Sequence, residues 1–168
     1  VPMTSLAREG HFLYTMDSAG TLRSIDLSSG FMVARGLLSM PIGVGKLFVG
    51  GGIVYLGADN GFQGGFATAN VSNPDSLLMI SVVDANGIAG TAIAVNGSGL
   101  AFAVGATRAA SGTIVDAIVD VIDVSDPTNT GTFLTRFKLS QPPLGIALGA
   151  GIAFVADGTA GLQVVNYL

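Results

Sequence analysis

A short apolar pattern recurs four times along the chain, and this repetition limits the possible folds more than any other feature. Each copy ends in an aromatic residue, at Tyr14, Tyr55, Phe102 and Phe154. The spacings are 41, 47 and 52 residues (14 to 55, 55 to 102 and 102 to 154). Units of this length usually stack on one another and share a continuous core, so the sequence has to be interpreted unit by unit.

Turn residues mark both ends of this pattern. A glycine stands three positions before the last three aromatics, at Gly52, Gly99 and Gly151, where a tight hairpin needs positive φ. A second pattern follows downstream at residues 24–28, 68–72, 121–125 and 164–166, and it contains Asp or Asn. Asp, Asn and Ser side chains hydrogen-bond nearby backbone amides in turns. In each unit, the strand that follows the aromatic pattern is therefore predicted to end in such a turn.

Each unit is predicted to contain four short antiparallel strands, A to D. The predicted strands of units two and three cover residues 46–49, 53–57, 65–71 and 77–83, and then 91–95, 100–105, 117–124 and 131–138. Unit one has only a weak strand A, at residues 4–7. No helical periodicity is present, and four strands per unit of this length are typical of propeller blades. The fold class is therefore all-β, with blade units at about 1–40, 41–86, 87–141 and 142–168, the last incomplete.

The repeated motifs resemble the LVIVD repeat of bacterial and archaeal surface propellers. The resemblance rests on the segments 151–158 (GIAFVADG), 161–166 (GLQVVN) and 122–127 (IDVSDP), and it extends over nearly the whole chain. Asn70 and Asn166 replace the usual Asp, and residues 28–30 lack the proline. These departures leave the fold in place because Asn also forms such turns. The motif implies blade architecture and a secreted or cell-surface location of prokaryotic type, and it implies no chemistry.

The first and last units are predicted to be incomplete, so that the chain forms a propeller fragment of about three and a half blades. A closed propeller usually has at least four complete blades. We therefore expect two apolar blade faces that associate with further blades. Those blades could belong to the same polypeptide, to a cleaved companion chain or to a second copy. A monodisperse, well-folded 16.8 kDa monomer would contradict this expectation.

Composition excludes several functions. Only 11% of the residues are charged and the net charge is −4, with the seven cations scattered, so nucleic acid is not an expected partner. The absence of cysteine and the single His leave no Cys/His metal site, and we predict neither a metal nor a cofactor. No apolar stretch reaches the roughly 18 residues of a membrane-spanning helix.

The B-C loops are the candidate binding face, because they differ in length between units. The longest are residues 59–64 and 106–116, and the D-A links at 40–43, 86–89 and 142–145 share that end. Long loops on a rigid scaffold often carry binding residues. The alternative is that these loops vary because nothing constrains them. The candidate ligand-binding residues are Asp59, Asn60, Phe62, Arg108 and Asp116.

Other polar residues are predicted to have structural roles. The group Asp116, Asp120, Asp123 and Asp126 resembles a calcium site, but strand alternation separates its members, so we predict turn capping and solvent exposure. Asp157-Gly158 and Asp59-Asn60-Gly61 are interpreted as hairpin turns. His11 lies in an A-B turn and is not assigned as a catalytic base. No catalytic residue is predicted.

The resulting functional hypothesis is a non-enzymatic binding or scaffold module of a larger protein, with a protein or carbohydrate ligand. The alternative is part of a propeller enzyme, a lyase or hydrolase, with catalytic groups partly on other blades. A third interpretation is a structural spacer without pockets. Clustered ionisable residues at the channel mouth would favour the enzyme, whereas a broad loop surface without such a cluster would favour binding. Fold alone cannot decide, because propellers carry many unrelated functions.

Overall fold

The computed structural model of the protein describes residues 1–40, 45–59, 64–81, 88–130 and 132–168, and it contains four antiparallel sheets. Sheet 1 consists of β1 (Met3–Glu9), β2 (Phe12–Asp17), β3 (Thr21–Asp26) and β4 (Val33–Ser39). Sheet 2 consists of β5 (Leu47–Gly50), β6 (Ile53–Asp59), β7 (Gly64–Asn70) and β8 (Leu78–Ser81). Sheet 3 consists of β9 (Ile88–Val95), β10 (Leu100–Arg108), β11 (Ile114–Asp123) and β12 (Thr132–Leu139). Sheet 4 consists of β13 (Gly145–Gly149), β14 (Ile152–Ala156) and β15 (Leu162–Asn166).

Every sheet is a simple meander, in which each strand pairs with its neighbour in the sequence. In sheet 3, for example, Phe102 of β10 faces Ala94 on one side and Val121 on the other. Three sheets have four strands and the last has three, which confirms the predicted all-β class and the incomplete fourth sheet. In the part of the chain that is described, no helix is long and apolar enough to cross a membrane.

Several strands differ in length from the prediction. Strand β1 has seven residues and completes the four-stranded sheet 1, so the prediction of a weak strand A and an incomplete first unit is wrong. Strands β10 and β11 have nine and ten residues, so they extend beyond the predicted ends at residues 105 and 117. The additional pairs include Ala106 with Ala117 and Thr107 with Asp116. The predicted strand at 77–83 continues into residues 82–83, which lie outside the described residues.

The first strands of the four sheets are neighbours in sequence order, since β1 contacts β5, β5 contacts β9 and β9 contacts β13. Polar bonds join them. The Leu47 amide donates to Ser5 Oγ at 2.6 Å, and the Lys46 amide donates to the Thr91 carbonyl at 3.0 Å. Lys46 Nζ also donates to the Leu144 carbonyl at 2.7 Å, which links sheet 2 to the segment that leads into sheet 4.

Three apolar cores hold consecutive sheets together. Core 1, between sheets 1 and 2, includes Tyr14, Met16, Leu22, Val54 and Leu56. Core 2, between sheets 2 and 3, includes Tyr55, Phe66, Ile93, Ile118 and Ile122. Core 3, between sheets 3 and 4, includes Phe102, Val104, Val119, Ala153 and Val155. Burial on both faces of sheets 2 and 3 explains why the sequence has 49% hydrophobic residues and so few charges.

Candidate functional site

The candidate residues of the first long B-C loop fall at the edge of the described structure. Asp59 is the last residue of β6, where its backbone is paired with Gly64 of β7. Asn60 and Phe62 lie outside the described residues. The fold therefore places Asp59 at the B-C end of sheet 2, as the sequence predicted. The contribution of these three side chains to a ligand site stays a prediction.

The second long B-C segment is mostly strand, with a loop of only five residues between β10 and β11. Its candidate residues are engaged within sheet 3. Arg108 Nη1 donates to the Gly112 carbonyl at 3.1 Å, and Lys138 Nζ donates to Asp116 Oδ1 at 2.9 Å. Arg108 and Asp116 thus share one end of sheet 3, where both support the extended hairpin. The extra sequence lengthens two strands because Ala106 and Ala117 add another buried pair.

The opposite end of the molecule has a backbone bond that is repeated in all four sheets. The residue after the end of each third strand donates its amide to a carbonyl in the turn between the first two strands. The four bonds are Leu27 to His11 (2.9 Å), Val71 to Gly52 (2.8 Å), Val124 to Gly99 (2.8 Å) and Tyr167 to Gly151 (3.0 Å). This repetition places the A-B turn and the end of strand C side by side. We call this end the turn face.

An Asx turn beside each of these bonds is also repeated four times. In each turn the side-chain oxygen of an Asp or Asn accepts a hydrogen bond from the amide two residues later. The acceptor and donor residues are Asp26 and Ser28, Asn70 and Ser72, Asp123 and Ser125, and Asn166 and Leu168. Hydrogen bonds from Ser125 hold the pKa of Asp123 below its usual value, and the Ser28 amide has the same effect on the pKa of Asp26. The two Asn residues and the two Asp residues therefore perform the same structural task.

Three clefts open on the turn face, one between each pair of consecutive sheets. The first, of about 480 Å³, lies between sheets 1 and 2, the second, of about 460 Å³, between sheets 2 and 3, and the third, of about 290 Å³, between sheets 3 and 4. Corresponding residues line them, since Val71, Val124 and Tyr167 occupy the same position in the first, second and third clefts. The clefts are thus three versions of one repeated feature.

Among the described residues that line the second and third clefts, none has an acidic or basic side chain. The second is lined by turn glycines, by Ser98 and Ser125, and by the aromatic rings of Phe48 and Tyr55. Burial raises the pKa of Tyr55, so its hydroxyl stays protonated and can act as a hydrogen-bond donor. Such a lining can hold a ligand through hydroxyl groups and ring contacts, but it has no group that is suited to acid-base catalysis at neutral pH.

The first cleft differs because Glu9 and His11 line it together with Tyr14. These are the only Glu and the only His of the sequence. Glu9 Oε2 accepts the Gly52 amide at 3.1 Å, and the Tyr14 hydroxyl donates to the Val71 carbonyl at 3.4 Å. Burial, with a smaller effect from Glu9, raises the pKa of Tyr14. His11 occupies the place that glycine holds in the other turns, at Gly52, Gly99 and Gly151.

The acidic group on β11 and beyond does not converge on one point. Asp123 and Asp126 accept bonds from Ser125 and Thr128, as the predicted turn capping requires. Asp120 differs from the prediction of solvent exposure, because it is fully buried and forms two bonds to Arg136, at 2.6 and 2.7 Å. Within the described ranges, no group of three or more His, Cys, Asp or Glu side chains is arranged to hold a metal ion.

Asp157 also has a larger role than the hairpin turn that the sequence suggested. Its carboxylate is buried and accepts the amides of Ser140 and Gln141, at 3.1 and 2.9 Å. It therefore fixes the connection from sheet 3 to sheet 4. Of the predicted D-A links, only the third is wholly described, since residues 41–43 and 86–87 lie outside the described part.

Sequence reasoning located the turns that form the turn face, but it did not identify the clefts between them. The available signal was the common alignment of turn glycines and Asx residues in the four units, which also singles out His11 as the exception. To predict a cleft between two sheets, one must know the distance between their neighbouring turns. This distance depends on how the sheets pack. The repeated pattern alone does not contain it.

Comparison with known proteins identifies the architecture. No family model matches the sequence, and no curated protein matches it. The fold is similar to that of two computationally designed propeller proteins. Ika4 has a TM-score of 0.69 at 16% identity, and the match covers 98% of this chain and 91% of Ika4. Ika8 has a TM-score of 0.67 at 15% identity, and the match covers 98% of this chain but 46% of Ika8. The chain thus spans less than half the length of Ika8, and its four sheets have the fold of β-propeller blades.

Proposed function

We propose that the protein is a non-enzymatic binding or scaffold module of the LVIVD-repeat type, which acts at the cell surface or in a secreted protein of prokaryotic type. The repeat assignment is supported by the Asx turn and the adjacent backbone bond that recur in all four sheets. The location follows from the same resemblance. Ligand binding is assigned to the turn face, in addition to the B-C end suggested by the sequence.

The observation that carries this proposal is the row of three equivalent clefts, two of which have no charged lining residue. A structural spacer needs no such clefts, and an enzyme needs ionisable groups at the reacting position. Hydroxyl groups and aromatic rings, in contrast, suit a ligand with both an apolar face and hydrogen-bonding groups. A carbohydrate or a short peptide segment meets this requirement, and clefts at regular intervals suit a ligand with repeated units.

The test is a binding measurement with short oligosaccharides and peptides, followed by amide chemical-shift changes in the intact protein. We expect shifts at the turns around Gly51, Gly97 and Ala150. Ser98→Trp should abolish binding at two clefts at once, because Ser98 lines both the second and the third. The matched control is Ser111→Trp in the β10-β11 loop, since Ser111 is also an exposed loop serine.

The control also separates the two candidate binding faces. Loss of binding in Ser98→Trp alone supports the turn face. Loss in Ser111→Trp alone would move the site to the B-C end, near Arg108 and Asp116, and would overturn the assignment to the clefts. Unchanged binding in both variants would also overturn it.

The alternative function, part of a propeller lyase or hydrolase, is favoured by one observation, the placement of Glu9 and His11 in the first cleft. A carboxylate and an imidazole can exchange protons with a substrate near neutral pH. This alternative predicts turnover that is lost in both Glu9→Gln and His11→Asn. Binding without turnover, and unaffected by His11→Asn, would support the non-enzymatic proposal.

A further inference from the structure

The packing between consecutive sheets follows one rule. The aromatic residue of each second strand points towards the next sheet, so that Tyr14 lies in core 1, Tyr55 in core 2 and Phe102 in core 3. The residue that follows it points back towards the preceding sheet. Leu56 therefore lies in core 1 and Val155 in core 3.

Sheet 4 presents the forward half of this interface without a sheet to cover it. Its row Ala147, Phe154 and Val164 has the same residues, in the same register, as the row Ala94, Phe102 and Val121 of sheet 3. Sheet 4 buries the row of sheet 3, where Phe102 is 0% exposed. The equivalent residue of sheet 4, Phe154, is 37% exposed. Ala156 and Leu162 extend the exposed row. We call this surface the tail face, and it has no charged residue.

Sheet 1 presents the backward half. Leu6 of β1 is paired with Thr15, and Leu13 is paired with Ile25, on the side away from core 1. Leu37 of β4 lies on the same side, opposite Arg23. Leu6 and Leu37 are exposed, and Leu13 and Ile25 are half-buried. We call this surface the head face. Two cations also lie on this side, the exposed Arg8, which is paired with Leu13, and Arg23, whose ion pair with Asp17 at 3.3 Å forms within the sheet.

We propose that the tail face of one copy packs on the head face of a second copy, and that two such contacts close a ring of eight sheets. The occupant is a second copy because this chain itself supplies both halves of the repeated interface, with the forward half at one end and the backward half at the other. A propeller of twice this size is a known form of the fold, since the chain matches 46% of the length of Ika8.

Symmetry allows two copies to close a ring through two identical head-to-tail contacts. A head-to-tail contact joins different surfaces, so it either continues into an open filament or closes when the rotation returns to the start. The match to Ika8, of which this chain covers 46%, favours closure after two copies. The uncharged tail face loses no ionic hydration when it is covered, and the exposed apolar rows supply the driving force. This assembly is independent of any ligand in the turn-face clefts.

The test is the molar mass of the intact protein in a dilution series, measured by light scattering and sedimentation. We expect twice the 16.8 kDa of one chain, with dissociation into monomers on dilution. Val164→Lys on the tail face and Leu37→Asp on the head face should each give a folded monomer, because both side chains are exposed in the single chain, at 57% and 65%.

Matched controls carry the same substitutions at equally exposed positions outside both faces. Val115→Lys in β11 and Leu78→Asp in β8 change side chains that are 61% and 60% exposed, and both variants should remain dimeric. An equimolar mixture of Val164→Lys and Leu37→Asp should recover dimers. One of its two contacts is unaltered, and the other brings opposite charges together.

Three results would overturn the proposal. A wild type that stays monomeric at every concentration would assign the two faces to further blades of a longer polypeptide or a companion chain. Masses well above two chains would indicate open filaments. A dimer that persists in Leu37→Asp but dissociates in Val164→Lys would indicate a tail-to-tail contact, which the recovery experiment would confirm by failing.

Discussion

Among single residues, the Asp120 carboxylate depends most strongly on one partner. It lies on the face of β11 that carries Ile118 and Ile122 into core 2, with its side chain 0% exposed. Arg136, opposite it on β12, supplies two bonds and is itself packed over the ring of Phe133 at 5.9 Å. A buried carboxylate is tolerated only with such a partner, because its lost hydration must be replaced.

Asp120→Asn should therefore lower the free energy of unfolding by roughly 3 kcal/mol, since it removes one charge of a buried ion pair. The same substitution at Asp116, whose pair with Lys138 is exposed, should cost less than about 1 kcal/mol. Urea denaturation of the two variants measures the difference. Equal effects would contradict the role assigned to burial.

The alternation of strand residues predicted which face of β11 carries Asp120, but it could not show that this face is covered by sheet 2. For the same reason the sequence grouped Asp120 with the exposed carboxylates of Asp116 and Asp126. Burial of a charged residue depends on a partner sixteen residues away, Arg136, and on the sheet that packs over both. Neither is visible in a local pattern.

Among the structural elements, the A-B turns need glycine both for backbone conformation and for close packing. Gly99 has a φ of +93°, and a Cβ at this position would lie 2.8 Å from Ser125 Cβ, in the turn that ends β11. The glycine therefore allows both the left-handed backbone and the close approach of two turns. The sequence identified this glycine from its place before the aromatic residue, because the backbone requirement is local.

Gly99→Ala should lower the free energy of unfolding by at least 1 to 2 kcal/mol, roughly the cost of a left-handed backbone for a residue with a Cβ. The contact with Ser125 adds to that cost. Gly149→Ala is the control, because a Cβ at Gly149 meets nothing within 4 Å and the residue lies in β13. Thermal denaturation should show a lower midpoint for Gly99→Ala alone.

The Asx turns make part of the stability dependent on pH. The pKa of Asp123 is lowered in the folded protein from its ordinary value of 3.8, chiefly by bonds from Ser125. Its contribution is therefore fully present above the unfolded pKa and is lost as the pH falls through the lower, folded pKa. Acid should thus weaken sheet 3 at this turn.

Asp123→Asn keeps an oxygen acceptor and removes the titration, as Asn70 and Asn166 do in sheets 2 and 4. Its stability should fall less steeply than that of the wild type as the pH drops from roughly 4 to roughly 2. Asn70→Asp is the reverse experiment, and it should make the acid dependence steeper. Parallel pH profiles for all three proteins would contradict the assignment.

Element lengths were predictable where turn residues bound a strand closely, as for β7 (Gly64–Asn70), which the sequence placed at 65–71. They were less predictable for β10 and β11, whose ends lie in a segment with no strong turn residue before Gly112. The length of strand β1 was also underestimated. Its sequence is polar because one of its faces is exposed, so its apolar pattern is weak. Its pairing with β2 and its contact with β5 are interactions between elements.

For the whole molecule, the main observation is that sheets 1 and 4 each bury one face and expose the other. Sheets 2 and 3 are covered on both sides, while Leu6 and Leu37 at one end and Leu162 and Val164 at the other are exposed. The sequence predicted two apolar end faces from its repeat and its composition. It could not determine the partner, because the same faces would fit further blades or a second copy.

If a second copy covers these faces, the thermal midpoint of the wild type should rise with protein concentration, because association stabilises only the folded chain. Val164→Lys should melt at one temperature throughout the same series, at the value that the wild type reaches on dilution. Differential scanning calorimetry measures both. A wild-type midpoint that does not change with concentration would contradict association.

The meander topology has a consequence for how the chain reaches its native state. Every strand forms its hydrogen bonds with the strand next to it in the sequence, so most pairing requires the closure of short loops only. Folding rates rise when native contacts are local. We therefore expect the strands of each sheet to pair quickly and independently of the other sheets. The slow step should be the docking of one preformed sheet on its neighbour, as in a linear repeat protein.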